Sequence, residues 1–327
     1  MKVVVIGYGS IGKRHVKNLL ANSNYDIIIC TKQKNPKLFD KKRCFVVRTF
    51  QECLLHKPVI GFVTNVSSEH IKTSLLLAKA GCDMFIEKPL SNSLENSEKL
   101  LNVVKREKLV TLMGCNLRFH KCINKIKDLL VEKKIGRVIS AKIECGTYLP
   151  DWHPYEDYRK SYASRNDLGG GVVLTCIHEL DYLYWFFGEI KEVFSMTGKF
   201  SDLKIKADDL SAMILKFKNN VIAEVHLDYF QRPDIRSCKV IGTKGTIYWD
   251  SITNQVKLYD FNTKKWKTEV KINNYNKNDM YVKEIKHFIQ CINHKEKSIN
   301  DISQGIYVTK IALAVIKSAK LKKIMTL

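Results

Sequence analysis

Acidic residues are scarce in this chain, and arginine is scarcer. Its 33 Asp and Glu face 55 Lys and Arg, giving a formal charge of +22, and 45 of those 55 are Lys against 10 Arg. Arginine-rich clusters with interleaved aromatics, which would give a nucleic acid bidentate phosphate contacts, are missing. The densest basic stretch, KKWKTEVK (264–271), alternates like an exposed strand. The charge therefore reads as a solvated basic surface that favours anionic small molecules, with no nucleic-acid partner. No apolar run reaches the roughly 18 residues of a membrane span. The opening MKVVVIGYGS runs straight into structure and shows no secretion-signal pattern, so no membrane partner and a cytoplasmic location are expected. The ten cysteines form no C-x-x-C pair. Free thiols are expected, with no metal site. No internal repeat or low-complexity tract breaks the chain.

Short apolar runs alternate with helical patterns over the first 117 residues. Strands are expected at 2–7, 26–31, 44–47, 59–65, 83–88 and 109–116. Helices are expected through about residue 20, at 68–81 and at 93–107. Such continuous apolar strands argue for a parallel sheet covered on both faces. After Arg118 the pattern changes. A helix is expected at 119–132, followed by alternating runs at 137–148, 207–217, 221–229, 236–242, 245–249 and 254–260. These suggest a mostly antiparallel open sheet. Helices are expected near 172–187, 278–293 and 302–320. The fold class is α/β: a doubly wound Rossmann domain over 1–118, then an α+β domain over 119–327 for substrate binding and oligomerisation.

The segment VVVIGYGSIGKRH (3–15) holds Gly7, Gly9 and Gly12 in G-x-G-x-x-G spacing, after a strand and at the opening of a helix. Gly7 permits the tight turn. Gly9 lets the backbone approach a pyrophosphate, and Gly12 lets the helix pack against the strand. Ser10 and Ile11, at the start of that helix, complete the expected cofactor contacts. The second strand normally ends in a carboxylate for the adenosine ribose. Here it ends CTKQK (30–34), with Thr31, Lys32 and Lys34 in its place. A cation there tolerates a 2′-phosphate, so the expected cofactor is NADP in preference to NAD.

Two further constellations carry chemistry. The run MFIEKPLS (84–91) ends a buried strand on Glu87, Lys88 and Pro89, and TNVSSEH (64–70) ends the strand before it. Both strand ends belong on the ligand side of a doubly wound sheet. Asn65, His70 and Glu87 are therefore expected near the nicotinamide. A lysine held at a partly dry site suits proton transfer. In LGGGVVLTCIHELDYLYWFFG (168–188), His178 and Asp181 share one face of an apolar helix.

Taken in order, GYGSIGKRH, TNVSSEH, IEKPLS, NLRFH and GGGVVLTCIHELDYLYWFFG resemble the glucose–fructose oxidoreductase / inositol dehydrogenase (Gfo/Idh/MocA) family. The resemblance runs over essentially the whole chain. It implies NAD(P)-linked hydride transfer on a sugar, cyclitol or related polyol, with Lys88 and His178 acting on the reacting hydroxyl or carbonyl. It also implies association through the exposed face of the second sheet, hence a homodimer or homotetramer. Many relatives carry Asp where this chain has Thr175, which leaves Lys88 and His178 as the ionisable pair. Asp181 is expected to orient His178 or to hold local structure.

The stretch YLPDWHPYEDYRKSY (148–162) supplies Trp152, His153, Tyr155, Tyr158, Arg159 and Tyr162. Aromatic faces suit sugar rings, and Arg159 could clamp a carboxylate or phosphate. Arg118, Thr175 and Arg232 are further candidate substrate contacts. This stretch is similar to family members associated with surface-polysaccharide sugars. The expected substrate is therefore an acidic or nucleotide-linked sugar. A non-sugar reductase acting on a tetrapyrrole or imine, and a non-enzymatic dinucleotide sensor, are the alternative readings.

Overall fold

The computed structural model describes residues 1–152 and 156–327. The chain divides into two compact units, Met1–Asn116 with Lys277–Thr309, and Leu117–Asn276 with Lys310–Leu327. The expected division at 118/119 follows chain order. By packing, a segment from late in the chain belongs with the first unit.

The first unit alternates strand and helix: β1 (Lys2–Ile6), α1 (Ser10–Asn22), β2 (Asp26–Cys30), β3 (Cys44–Val47), α2 (Phe50–Leu55), β4 (Ile60–Val63), α3 (His70–Lys79), β5 (Asp83–Glu87), α4 (Ser97–Arg106) and β6 (Thr111–Gly114). The strands form one parallel sheet in the order β3-β2-β1-β4-β5-β6. Strand order reverses between β1 and β4, which puts the Gly7 turn and Asn65 at neighbouring strand ends. The strands read as unbroken apolar runs because both faces are covered. One face packs Val4, Ile28, Val63 and Ile86 against residues such as Leu77 and Leu100. The other packs Val3, Val5, Phe62 and Phe85 against Val16 and Leu19 of α1 and against Ile285 and Phe288. Phe62 and Phe85 stack with centroids 4.9 Å apart, and Phe288 meets both edge-on.

The second unit begins with α5 (Lys121–Val131), β7 (Val138–Tyr148), α6 (Val172–Thr175), α7 (His178–Phe187) and β8 (Ile190–Gly198). It continues through β9 (Leu210–Phe217), β10 (Ile222–Asp228), β11 (Phe230–Gly242), β12 (Gly245–Asp250), β13 (Gln255–Asp260) and β14 (Lys265–Lys271). Next, α8 (Asn278–His294) belongs to the first unit and carries Ile285 and Phe288. The first turns of α9 (Ile302–Leu321) do so too, whereas its later turns and β15 (Met325–Thr326) belong to the second. The nine-stranded sheet runs β14-β13-β12-β11-β7-β10-β9-β8-β15. Its pairs are antiparallel except β7 with β10, which is parallel. Buried and exposed residues alternate along β9 and β10, so one face packs on helices and the other is open. Met196 (66% exposed), Ile214 (42%) and Phe194 (37%) stand out on that unit's surface.

Three differences from the sequence reading have physical causes. The single helix expected at 172–187 is two, because Cys176 leaves helical geometry at ψ 34° and α7 restarts at His178. The strand β8 has the alternating pattern IKEVFSMTG, but it follows directly on an apolar helix whose signal masks it. The helix expected from 93 begins at Ser97, after Asn96 takes a left-handed conformation (φ 61°). Among the described residues, no helix is long and apolar enough to cross a membrane.

Candidate active site

The glycine loop separates into two structural glycines and one open one. A Cβ on Gly7, whose φ is +100°, would lie 2.6 Å from the Asn65 nitrogen and from the Thr64 carbonyl. A Cβ on Gly12 would lie 2.1 Å from the Gly7 oxygen. Both are close-approach positions where any side chain forces the backbone apart. Thr64 ties the turn down, its hydroxyl donating to the carbonyls of Ile6 and Gly7 at 3.1 and 2.7 Å. Gly9 differs, for a Cβ there would meet nothing within 4 Å. It sits at the amino end of α1, which has no side-chain cap and opens with Ser10 and Ile11. An uncapped helix start beside an open backbone fits a pyrophosphate, since its N–H groups and dipole favour an anion.

The turn after β2 is built by a residue outside the expected set. Arg48 donates to the carbonyl oxygens of Thr31 (2.9 Å), Lys34 (2.9 Å) and Gln33. Its own backbone is held by Glu52, which with Thr49 forms a reciprocal cap on α2. Thr31 is buried and its hydroxyl accepts the Gln33 N–H at 3.2 Å, so this hydroxyl shapes the turn. Lys32 and Lys34 are exposed.

At the end of β4, the Asn65 side-chain nitrogen donates to Thr73 at 2.9 Å. Its buried Oδ1 has no partner among the described residues. An orphaned acceptor there suits an amide donor such as a nicotinamide carboxamide. His70 is fully buried, with ring nitrogens 2.8 Å from the Pro89 oxygen and 3.0 Å from the Asn65 oxygen. Burial holds this imidazole below its ordinary pKa, against the pull of the two carbonyls. His70 is thus a brace between the ends of β4 and β5. Lys88 is half-buried and joined to Pro89 by a cis peptide bond. Its backbone N–H donates to Glu87 Oε2 at 3.2 Å. The Glu87 carboxylate is buried and accepts from His15 Nε2 at 2.7 Å. Glu87 therefore turns inward, toward α1, rather than to the surface.

In the second unit, α7 begins at His178, which is 9% exposed. The glycines before it make a tight return in which Gly169 and Gly171 have φ of 88° and 96°, and a Cβ on Gly170 would lie 2.1 Å from the Tyr162 oxygen. Thr175 is buried beside Tyr229, whose phenol burial pushes well above its ordinary pKa. Asp181 accepts a two-pronged contact from Arg118, Nε at 2.9 Å and Nη2 at 2.8 Å. Both side chains are all but inaccessible, and the guanidinium also faces the Trp185 ring at 5.5 Å. Arg118, expected at the substrate, and Asp181, expected to orient His178 or to hold local structure, hold each other inside the second unit. Removing one partner of such a pair strands a buried charge, at about 3–5 kcal/mol. Asp181→Ala should therefore lower the melting temperature by several degrees, and Arg118→Met with Asp181→Leu together should recover much of the loss. Thermal denaturation of the three proteins checks this.

The aromatic stretch is largely self-supporting. Trp152 donates to Thr147 Oγ1 at 2.7 Å and packs edge-on against Tyr229. The Tyr158 hydroxyl accepts the Lys204 N–H at 3.2 Å. Arg159 is exposed but forks onto Asp157 with two 2.8 Å bonds. Arg232 lies 3.3 Å over the Tyr148 ring. His153 and Tyr155 lie outside the described residues. Sequence reasoning passed over His15 and Arg48. His15 had a signal, being a polar residue on the buried Gly12–His15–Val16–Leu19 stripe of α1.

Residues 1–115 match the family model described as the NAD-binding Rossmann fold of the Gfo/Idh/MocA oxidoreductase family, and residues 127–327 match its C-terminal alpha/beta domain. The chain belongs to this family. It is 25% identical to the myo-inositol 2-dehydrogenase of Thermotoga maritima over 340 residues, covering 99% of this chain and 97% of that protein. It is 24% identical to the 1,5-anhydro-D-fructose reductase of Ensifer adhaerens over 197 residues, 59% of this chain and 57% of the other. Among solved structures, levoglucosan dehydrogenase in complex with NADH superposes with a TM-score of 0.87 at 16% identity, covering 100% of this chain and 98% of that one. At that identity the superposition shows the fold alone. The expected family, the Rossmann sheet and the mostly antiparallel second sheet are all borne out.

Proposed function

We propose that this protein is an NAD(P)-dependent dehydrogenase or reductase acting on a secondary hydroxyl or carbonyl of a sugar or cyclitol. The observation that carries the reading is the open Gly9 at the uncapped start of α1, after β1, with β4 alone between that strand and β5, which ends at Lys88–Pro89. A bound nicotinamide dinucleotide supplies the hydride acceptor or donor. The chain's own residues align the substrate and handle the proton. Lys88 donates a hydrogen bond to the carbinol oxygen and stabilises negative charge developing there. His178 accepts the hydroxyl proton during oxidation and returns it during reduction. Thr175 has no charge to offer, so no third ionisable group enters. The names of relatives matched over most or part of this chain, an inositol dehydrogenase and an anhydrofructose reductase, support the substrate class.

Two of the three cations named for an acidic or nucleotide-linked sugar are engaged elsewhere, Arg118 by Asp181 and Arg159 by Asp157, which leaves Arg232, over the Tyr148 ring. We therefore favour a neutral sugar or cyclitol. A screen of such compounds, acidic sugars and sugar nucleotides, read at the reduced-nicotinamide absorbance band, tests the reading. Tight cofactor binding with no turnover on any carbinol or carbonyl overturns it. The apolar Met196, Ile214 and Phe194 support a homo-oligomer of the second unit.

Lys32 and Lys34 support the NADP preference. Lys32→Ala with Lys34→Ala should weaken NADPH binding about tenfold, roughly 1.4 kcal/mol, and leave NADH binding nearly unchanged. Fluorescence titration checks it, and equal or tighter NADH binding by the unaltered protein would reverse the preference.

A further inference from the structure

The starting observation is a buried polar chain that runs behind Lys88 and that the proposed chemistry does not use. His15 is 0% exposed and lies on the inward stripe of α1. Its ring is enclosed by aromatic neighbours, with centroids 4.7 Å from Phe85, 5.4 Å from Phe62 and 6.2 Å from Tyr281 of α8. Its Nδ1 is buried without a partner among the described residues. The ring's one polar bond is therefore from Nε2 to Glu87 Oε1, at 2.7 Å. The other carboxylate oxygen accepts the Lys88 backbone N–H at 3.2 Å. Gly114 of β6 leaves the carboxylate its room, since a Cβ there would stand 3.0 Å from the Glu87 carboxyl carbon.

We propose that His15 is a positioning residue that fixes Lys88 through Glu87, linking the phosphate-binding helix α1 to the lysine at the end of β5. The proposal rests on the role given to Lys88 above. A buried polar pair of this kind contributes little net stability compared with apolar residues of the same size. What it supplies is geometry. With one oxygen held by α1, the other is directed at a single backbone N–H, and a side chain in place of Gly114 would crowd the carboxylate. The lysine backbone is thereby set relative to the helix whose amino end receives the pyrophosphate. Displacement of a reacting group by about 1 Å can cost ~100-fold in rate. A link of this length therefore has kinetic consequences even though it touches neither substrate nor cofactor.

The test uses the full chain with lysines reductively methylated with ¹³C, the Lys88 resonance being assigned by its loss in Lys88→Arg. His15→Phe keeps a ring between Phe62 and Phe85 but removes the donor. His15→Gln returns a donor. In His15→Phe the Lys88 resonance is expected to move into the envelope of exposed lysines. With a carbinol substrate, kcat should fall about 30-fold while KM and the cofactor Kd change less than about threefold. His15→Gln should restore both the resonance and most of kcat. An unshifted Lys88 resonance in a folded His15→Phe protein overturns the proposal. So does equal damage in both variants, which marks general packing. If His15→Phe does not fold, Glu87→Met decides, because its thioether side chain offers no carboxylate to hold both the imidazole and the Lys88 N–H. An unmoved Lys88 resonance there also overturns it. If the unaltered protein turns over no carbinol, the dehydrogenase reading falls, and the resonance still decides whether His15 sets Lys88.

Discussion

Lys88→Met is expected to lower turnover by about 10³-fold, and His178→Ala by about 10²–10⁴-fold, with cofactor affinity nearly unchanged in both. In the proposed reaction a hydride and a proton leave one carbinol. If the hydroxyl sheds its proton ahead of the hydride, the oxygen carries negative charge on the way to the carbonyl, whereas hydride loss with the proton still in place would leave a costly protonated carbonyl. An ammonium hydrogen-bonded to that oxygen is worth most in a site from which water is excluded, because the attraction grows as the local dielectric falls. Met has nearly the length of Lys and none of its charge, so the half-buried position is filled while the electrostatic term is lost. The two variants differ in kind. Loss of Lys88 removes stabilisation that grows toward the transition state and should appear in kcat and kcat/KM alike. Loss of His178 removes the proposed proton acceptor, and the residual rate should then rise with pH as hydroxide takes over. Steady-state kinetics with fluorescence titration of the cofactor measures both. Near-normal kcat in both variants removes Lys88 and His178 from the chemistry.

The glycine loop gives the second large effect, and here three similar residues should behave differently. Gly9→Ala should leave the melting temperature essentially unchanged, since the backbone at φ −75° and ψ −164° is open to alanine and the new methyl meets nothing within 4 Å. It should weaken NAD(P)H binding by about 100-fold, roughly 2.7 kcal/mol, because the methyl occupies the approach of the pyrophosphate. Gly12→Ala reverses the pattern. Its methyl would stand 2.1 Å from the Gly7 oxygen and 3.0 Å from Thr64 Oγ1, so α1 must move off β1. Overpacking of this kind costs about 1–3 kcal/mol or more, and the melting temperature should fall by several degrees. Gly7→Ala should behave like Gly12→Ala, with the added strain of a positive φ. Differential scanning fluorimetry and cofactor titration separate the two classes. Full cofactor affinity in Gly9→Ala would mean that the loop is a turn and nothing more.

These contrasts show where the sequence is legible. Gly7, Gly9 and Gly12 are recognisable by spacing, yet only the packing of Gly7 and Gly12 against Thr64 and Asn65 distinguishes them from Gly9. His70 reads as a residue near the nicotinamide, and only the structure shows that its ring also braces two backbone carbonyls. Arg118 reads as a cation available to substrate and proves to be an internal partner of Asp181, 63 residues away. Nothing near Arg118 in the sequence announces that partner.

The sequence alone determined the alternation of strands and helices, the parallel first sheet, the turn at Gly7 and the abrupt end of β5 at Lys88–Pro89. Each follows from preferences that act over a few residues: apolar periodicity, the backbone freedom of glycine and the restriction before proline. Tertiary structure alone decided that residues 277–309 return to cover a face of the first sheet, and that His15 meets Glu87 across 72 residues. A buried face or a buried charge must find a partner, but the partner's place in the chain is set by packing in three dimensions, which local sequence does not encode.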